Sequence, residues 1–419
     1  MVLKVADRGK MPPFIVMDVM QAASLRESKG GDVLHLEVGQ PSTKAPSKVI
    51  TAAKIALEND KLGYTPALGL LKLRAAIAKH YKDWYGVDIP LERIVATKGS
   101  SAAFILSFMA AFDPGDRVVM ASPGYPAYRN ILKSLGIIPI SILTELKHRF
   151  QPTVALLEEL EQPIDGLIIA SPSNPAGTMI GYQQMQELSN YCKKKGIRLI
   201  SDEIYHGVNY GQKPVSALET HAESIIINSF SKYFSMTGWR LGWMIVPQDL
   251  ARSVECLAQN MFISPPTLSQ IAASAAFDSY DEAEDNVKRY AINRSILMNE
   301  LPSNGLDKLA PADGAFYIYA DIAHFTNDSV EFCKRMLEEI GVKNFFDKVD
   351  EFKGNNFLES LSKIKNEDFY GQRQKYTNIE TLGTVSYTHL RAHETGRNHV
   401  SRLQLEKKKG GGGGGGGWG

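Results

Sequence analysis

Lys232 stands in the run Asn228-Ser229-Phe230-Ser231-Lys232-Tyr233-Phe234-Ser235-Met236-Thr237-Gly238-Trp239-Arg240. A strand-like apolar stretch, 225–227, leads into it. Ser229 precedes the lysine by three residues and Arg240 follows it by eight. A ligand that is both an aldehyde and a phosphate monoester needs this set. The amine forms a Schiff base; the hydroxyl and the guanidinium hold the phosphate.

Ser-x-x-Lys by itself also belongs to serine hydrolases of the penicillin-binding type, so the upstream sequence decides. There lie Ser171-Pro172-Ser173-Asn174-Pro175-Ala176-Gly177-Thr178 and Ser201-Asp202-Glu203-Ile204-Tyr205, each after an apolar run, 167–170 and 197–200. In an α/β sheet, ligands bind beyond the carboxyl ends of such strands. A carboxylate such as Asp202 can pair with a pyridine nitrogen and keep it protonated, which makes the ring an electron sink. Asn174 and Tyr205 can both hydrogen-bond a phenolate oxygen on that ring. An Asn-Pro-x-Gly turn, Asp-Glu-x-Tyr, Ser-x-Ser-Lys and Gly-Trp-Arg-x-Gly follow in order, the first three about thirty residues apart. With these motifs the chain resembles the class I/II pyridoxal-phosphate (PLP) aminotransferases of the aspartate aminotransferase type, fold type I. The resemblance covers roughly residues 10–342.

The resemblance implies a PLP enzyme moving an amino group from an L-amino acid to a 2-oxo acid in a ping-pong cycle through pyridoxamine phosphate. Lys232 resembles the lysine of the internal aldimine, whose freed amine then shuttles a proton between Cα and the cofactor's C4′. Asp202 resembles the pyridinium partner, and Asn174 and Tyr205 the partners of the ring oxygen, Asn174 also lying towards the substrate. Arg240 and Ser229 resemble phosphate ligands, with Ser100 and Ser101 completing the cradle. Tyr125, in Ser122-Pro123-Gly124-Tyr125-Pro126, matches the aromatic stacked on the pyridine face. Tyr64, in Gly63-Tyr64-Thr65-Pro66, matches a residue reaching a neighbour's phosphate across a homodimer with a shared active site. Gly39 matches a backbone contact to the substrate carboxylate. Each has a plainer reading: a Ser N-cap, a turn Asn or Gly, a core aromatic. Fold type I sites also serve lyases, decarboxylases and related enzymes, and a PLP-binding protein with little turnover is a further alternative.

The elements that must position these residues are legible in outline. Candidate strands fall at 93–97, 117–121, 139–143, 167–170, 198–201, 224–228 and 242–246, separated by amphipathic stretches. That alternation predicts an α/β fold with a mainly parallel, doubly covered sheet. Lys98-Gly99-Ser100-Ser101 ends the first strand and opens a helix over 102–111, where backbone amides and the helix dipole make a ready phosphate site. Helices are expected at 12–30, 46–58, 70–84, 259–280, 282–301 and 329–340, and a small-domain strand opening at 311–319. The expected organisation is an N-terminal arm and part of a small domain (1–40), a large PLP-binding domain (41–275), and a linking helix with a truncated small domain (276–342).

Composition sets further bounds. At 419 residues, 44% hydrophobic and 22% charged, the chain has the make-up of an ordinary globular protein large enough for two domains. No apolar stretch is long enough to span a membrane, and Lys4, Asp7, Arg8 and Lys10 interrupt any secretory core in the first twenty residues. Cys192, Cys256 and Cys333 are far apart and show neither metal spacing nor a disulfide framework, which fits a reducing cytoplasm. The net charge of +1 includes six basic and two acidic residues within 385–409. The rest of the chain is therefore near −3, and no nucleic-acid partner is implied.

Two breaks interrupt the pattern. Residues 343–384 hold no alanine and no proline and are crowded with Lys, Asn, Phe, Glu and Asp, as after a frameshift or a join to unrelated coding sequence. The resemblance would place an arginine that clamps the substrate α-carboxylate here. Arg373 is the only arginine in the segment and nothing around it matches, so that role passes to no residue, and the activity of this chain is expected to be impaired. Residues 385–395, Val-Ser-Tyr-Thr-His-Leu-Arg-Ala-His-Glu-Thr, read like a translated transposase-library sequencing adapter, followed by Lys407–409 and Gly410–417. Residues 385–419 are therefore expected to be read-through without tertiary contacts.

Overall fold

The computed structural model describes residues 3–31, 33–35, 39–340, 342–343, 345–346 and 388–391. Its frame is a seven-stranded sheet. The strands are β1 (Ile94–Thr97), β2 (Arg117–Ser122), β3 (Ile138–Leu143), β4 (Gly166–Ala170), β5 (Arg198–Asp202), β6 (Ile225–Ser229) and β7 (Gly242–Ile245), in the order β1-β7-β6-β5-β4-β2-β3. All neighbours are parallel except β7, which runs against both β1 and β6.

Runs such as Leu167-Ile168-Ile169 and Ile225-Ile226-Ile227 are buried because both faces of the sheet are covered. The two-residue period sorts them to opposite sides. Leu167, Ile169, Leu199 and Ile226 join one core with Ile77 and Leu188 from helices Leu71–Tyr85 and Tyr182–Lys195. Ile168, Ile200, Ile225 and Ile227 join the other with Phe104 and Val254 from helices Gly99–Ala111 and Gln248–Phe262. A smaller core, with Leu301, Ile318, Ala320, Phe332 and Met336, gathers around β8 (Ile318–Asp321) and helix Ser329–Ile340. The long helix Tyr280–Ser303 leads to it.

Three expectations need correction. A single helix over 259–280 does not form. Helix Gln248–Phe262 stops at Ile263, whose φ is +63°, and helix Thr267–Ala273 begins only after Pro265 and Pro266. Proline lacks the donor a continuing helix needs and restricts the residue before it. Residues 311–317 are not strand; β8 starts at Ile318. The Gly314 and Ala315 amides instead donate to the Gly177 and Val208 carbonyls, 2.9 and 2.7 Å away, tying the segment to two loops of the large sheet. The third concerns the tail. Thr388–Arg391 pairs in parallel with β8, and Phe345–Phe346 pairs with His389 and Leu390, so the expectation of no tertiary contact does not hold there. An edge strand exposes a row of unpaired amides and carbonyls and accepts an extended segment with little regard to its sequence. At the other end of the chain, Leu34–His35 pairs with Val342–Lys343. The remaining expectations for 343–419 lie outside the described residues.

Candidate active site

The register of β7 builds one end of the site. Because β7 is antiparallel, its first residue, Gly242, lies beside the carboxyl ends of β1 and β6, opposite Thr97 and Ser229. Helix Gly99–Ala111 starts at that edge. A Cβ on Gly242 would stand 2.7 Å from the Asn228 carbonyl oxygen and 3.1 Å from the Ser100 amide nitrogen. Glycine there lets the helix start press against the sheet. Gly99, at φ +74°, leaves room for Arg240, whose Nη2 would be 2.7 Å from a Cβ at that position. Arg240 also donates to the Thr237 carbonyl at 3.0 Å. The Ser229 hydroxyl is buried, accepts from the Ser231 amide at 3.1 Å and lies 2.8 Å from the Ser231 hydroxyl. Ser100 is half-buried and Ser101 exposed on the first turn. The helix start with its unpaired amides and positive end, the Ser229 hydroxyl and the Arg240 guanidinium thus gather at the carboxyl ends of β1 and β6, and these are the donor types a phosphate dianion requires.

Asp202 ends β5 and is 4% exposed. Burial pushes its carboxyl up to about 6, against the opposing effects of the Tyr128 hydroxyl, the Ile204 amide and the Lys232 charge. The Tyr128 hydroxyl donates to Oδ2, and the Ile204 amide to Oδ1 at 3.2 Å. Tyr128 was not among the residues singled out from sequence; its one local signal is its position a helical turn after Tyr125. Tyr125 packs edge-on against Tyr128 and Phe14, with centroids 5.3 and 5.9 Å apart. Its phenol is held above its usual range by burial and by Asp202.

Lys232 lies between these groups. Burial lowers its amine to about 8; Asp202 opposes the shift and Arg240 adds to it. The amine donates to the Gly39 carbonyl and sits 5.7 Å from the Tyr205 ring centroid and 5.8 Å from that of Phe316. The Gly39 backbone therefore reaches the site through its carbonyl. Tyr205 is buried, and its hydroxyl meets that of Tyr317. Asn174 is half-buried on the turn after β4. Tyr64 stands apart at 85% exposure. Among the described residues no cluster of three or more His, Cys, Asp or Glu is arranged to hold a metal, and no helix is long and apolar enough to cross a membrane.

An amine of lowered basicity, a buried carboxylate and a helix start that Gly99 and Gly242 let pack against Arg240 and the sheet together fit PLP. The fold and site define a fold type I, PLP-dependent transferase. The chain belongs to the class I and II aminotransferases: the model of that family, "Aminotransferase class I and II", matches residues 31–344. It is 49% identical to a valine–pyruvate aminotransferase from Mycobacterium tuberculosis, over 81% of this chain and 88% of that one. It is 36% identical to a (5-formylfuran-3-yl)methyl phosphate transaminase from Methanocaldococcus jannaschii, over 78% and 85%. Among solved structures, an aminotransferase from Mycobacterium tuberculosis superposes with a TM-score of 0.82 at 46% identity, covering 87% of this chain and 98% of that one. The aspartate aminotransferase of Thermus thermophilus with maleate gives 0.80 at 26%, covering 87% and 100%. The protein is an aminotransferase, and PLP-dependent transamination is its reaction.

Proposed function

We propose that the chain moves the amino group of an aliphatic L-amino acid to a small 2-oxo acid, with valine and pyruvate as the first pair to try, and that Lys232 is the lysine that holds PLP. The observation carrying the site assignment is the meeting, at one sheet edge, of the Lys232 amine near 8, the buried Asp202 and the helix start flanked by Arg240. The substrate pair is supported by the name of the 49% identical relative. PLP bound there supplies the electron sink that makes loss of the substrate's Cα proton feasible. Lys232 takes and returns that proton. Asp202 would hold a proton on the pyridine nitrogen, and Asn174 and Tyr205 would bind the ring oxygen. Ser100, Ser101, Ser229 and Arg240 would bind the phosphate. Tyr125 would cover the ring face, and Gly39 with Asn174 would line the substrate side.

We further propose that the enzyme is a cytoplasmic homodimer of amino-acid metabolism in which Tyr64 reaches the neighbour's phosphate. Its 85% exposure, far from any packing a core tyrosine would have, supports an intersubunit role. Residues 385–419 we read as sequencing read-through, on the adapter-like run 385–395. Resequencing the source gene past codon 342 tests that reading; recovery of the same codons from an adapter-free library would refute it.

The test of function is reconstitution with PLP, followed by L-valine without acceptor. The visible band should convert to that of pyridoxamine phosphate, and pyruvate should restore it with release of alanine. A band that valine and alanine leave unchanged, whether or not aspartate converts it, would defeat the substrate reading. Absence of any borohydride-fixed PLP on Lys232 would defeat the site reading.

A further inference from the structure

We propose that Tyr317 is a positioning residue for the cofactor's ring oxygen, acting through Tyr205: the Tyr317 hydroxyl donates to the Tyr205 oxygen, so the Tyr205 proton points at the phenolate. The inference rests on the reading of Tyr205 given above.

The two tyrosines are 112 residues apart and come from different parts of the fold. Tyr205 follows β5; Tyr317 immediately precedes β8. Both are buried, 2% and 3% exposed, with rings edge-on at 5.3 Å and 74° and hydroxyls in hydrogen-bond contact. Tyr317 belongs to the site electrostatically as well, since Asp202 and Tyr125 both act on its phenol. Burial, the first cause, keeps that phenol well above its usual range, so Tyr317 retains its proton and stays a donor.

The pair holds two protons. One of them bridges the two oxygens. Tyr205 has a single proton, so with a phenolate beside it that proton goes to the ring oxygen and the bridging proton is the one Tyr317 donates. A bond received at its oxygen makes Tyr205 the stronger donor. Tyr317 is held firmly enough to set that direction. The segment before it is fastened to both loops expected to face the ring oxygen. Gly314 donates to Gly177 of the Asn174 turn at 2.9 Å, and Ala315 donates to Val208 of the Tyr205 loop at 2.7 Å. The Tyr210 hydroxyl adds a bond to the Ala315 carbonyl at 2.6 Å. The close approach is visible at Gly177, where a Cβ would stand 2.8 Å from the Gly314 oxygen and 3.5 Å from that of Tyr317.

The readout is the pH midpoint at which the lysine-bound cofactor's visible band ionises. Donation to the phenolate offsets the negative charge that favours the protonated linkage, so losing a donor raises the midpoint. The comparison uses the full chain reconstituted with PLP, as wild type, Tyr205→Phe, Tyr317→Phe and the double variant. Phenylalanine keeps the ring packing, and near-UV circular dichroism of each apoprotein checks the fold. If Tyr317→Phe misfolds, Tyr317→Trp, which keeps an aromatic ring but cannot donate from the same point, takes its place. Tyr205→Phe should raise the midpoint by about one pH unit and Tyr317→Phe by about 0.3–0.7, as for the weakening of one hydrogen bond. The double variant should match Tyr205→Phe alone. Additive shifts, or no shift from Tyr317→Phe where Tyr205→Phe moves the midpoint, would overturn the proposal and leave the Tyr205 reading intact. No shift from Tyr205→Phe would remove both.

Discussion

The Tyr128 hydroxyl donates to Oδ2 of Asp202, across 74 residues and from a helix to the end of a strand. Burial raises this carboxyl, and that bond, the Ile204 amide and the Lys232 charge limit the rise to about 6. A charge kept there can keep a proton on a pyridine nitrogen; a neutral acid cannot.

Tyr128→Phe should therefore leave PLP bound and the fold intact but slow transamination. Hydrogen bonds to charged groups are worth about 1.5–3 kcal/mol, which is roughly ten- to hundred-fold in rate. Single-turnover conversion of the visible band by amino acid measures it. Rates within two-fold of wild type would mean that Asp202 is held by other groups.

PLP capture by the apoenzyme should depend on pH through Lys232. Its amine is the nucleophile only when neutral, and burial has lowered it to about 8. The rate of band formation should rise about tenfold per pH unit from 6 to 8 and level off above. Asp202→Asn removes the charge that opposes the shift, so the midpoint should move down. Lys232→Ala should form no borohydride-reducible adduct at any pH. A pH-independent capture rate in wild type contradicts the assignment.

Gly242→Ala places a methyl 2.7 Å from the Asn228 oxygen and 3.1 Å from the Ser100 nitrogen. Backbone lines both sides, so the start of helix Gly99–Ala111 must move. The expected outcome is a stability loss of about 1–3 kcal/mol together with at least tenfold weaker PLP binding, read by thermal melting and by fluorescence titration. A stability loss with unchanged PLP affinity would show that the helix start does not contribute to the phosphate cradle.

Glu203 offers a stability test. It is 0% exposed, and burial pushes its carboxyl up to about 8, against the Ala217 amide and the Ser216 and Ser201 hydroxyls. The unfolded chain ionises this group from about 4.5 upward while the native protein does not. The unfolded state then binds fewer protons, and stability falls as pH rises from about 5 to about 8. Glu203→Gln cannot titrate. Its melting temperature should exceed that of wild type by a margin that grows across this window and then levels off. A constant difference, or one that shrinks, would show that Glu203 is ionised in the native protein.

The strand runs at 167–170 and 198–201 and the motifs from Asn174 to Arg240 could be read from sequence because they are local. An apolar stretch, a turn and a lysine three residues after a serine are all properties of neighbours along the chain. The sheet order was not readable, and it explains why the antiparallel β7 brings Gly242 between Thr97 and Ser229. The helix predicted at 259–280 failed locally, at Pro265 and Pro266. Of the strand predicted at 311–319 only Ile318 and Tyr319 are strand, for a non-local reason: the Gly314 and Ala315 amides found partners at Gly177 and Val208.

The sequence by itself determined the cofactor's chemical class and the family, and it singled out the lysine proposed as the reacting group, since each rests on residue types at short fixed spacings. Tertiary structure alone decided which groups meet them. Tyr128 reaches Asp202 across 74 residues, Tyr317 reaches Tyr205 across 112 and the Gly39 carbonyl reaches Lys232 across 193. No periodicity encodes such pairs. They follow from strand order and from the need of every buried polar group to find a partner once packing has excluded water.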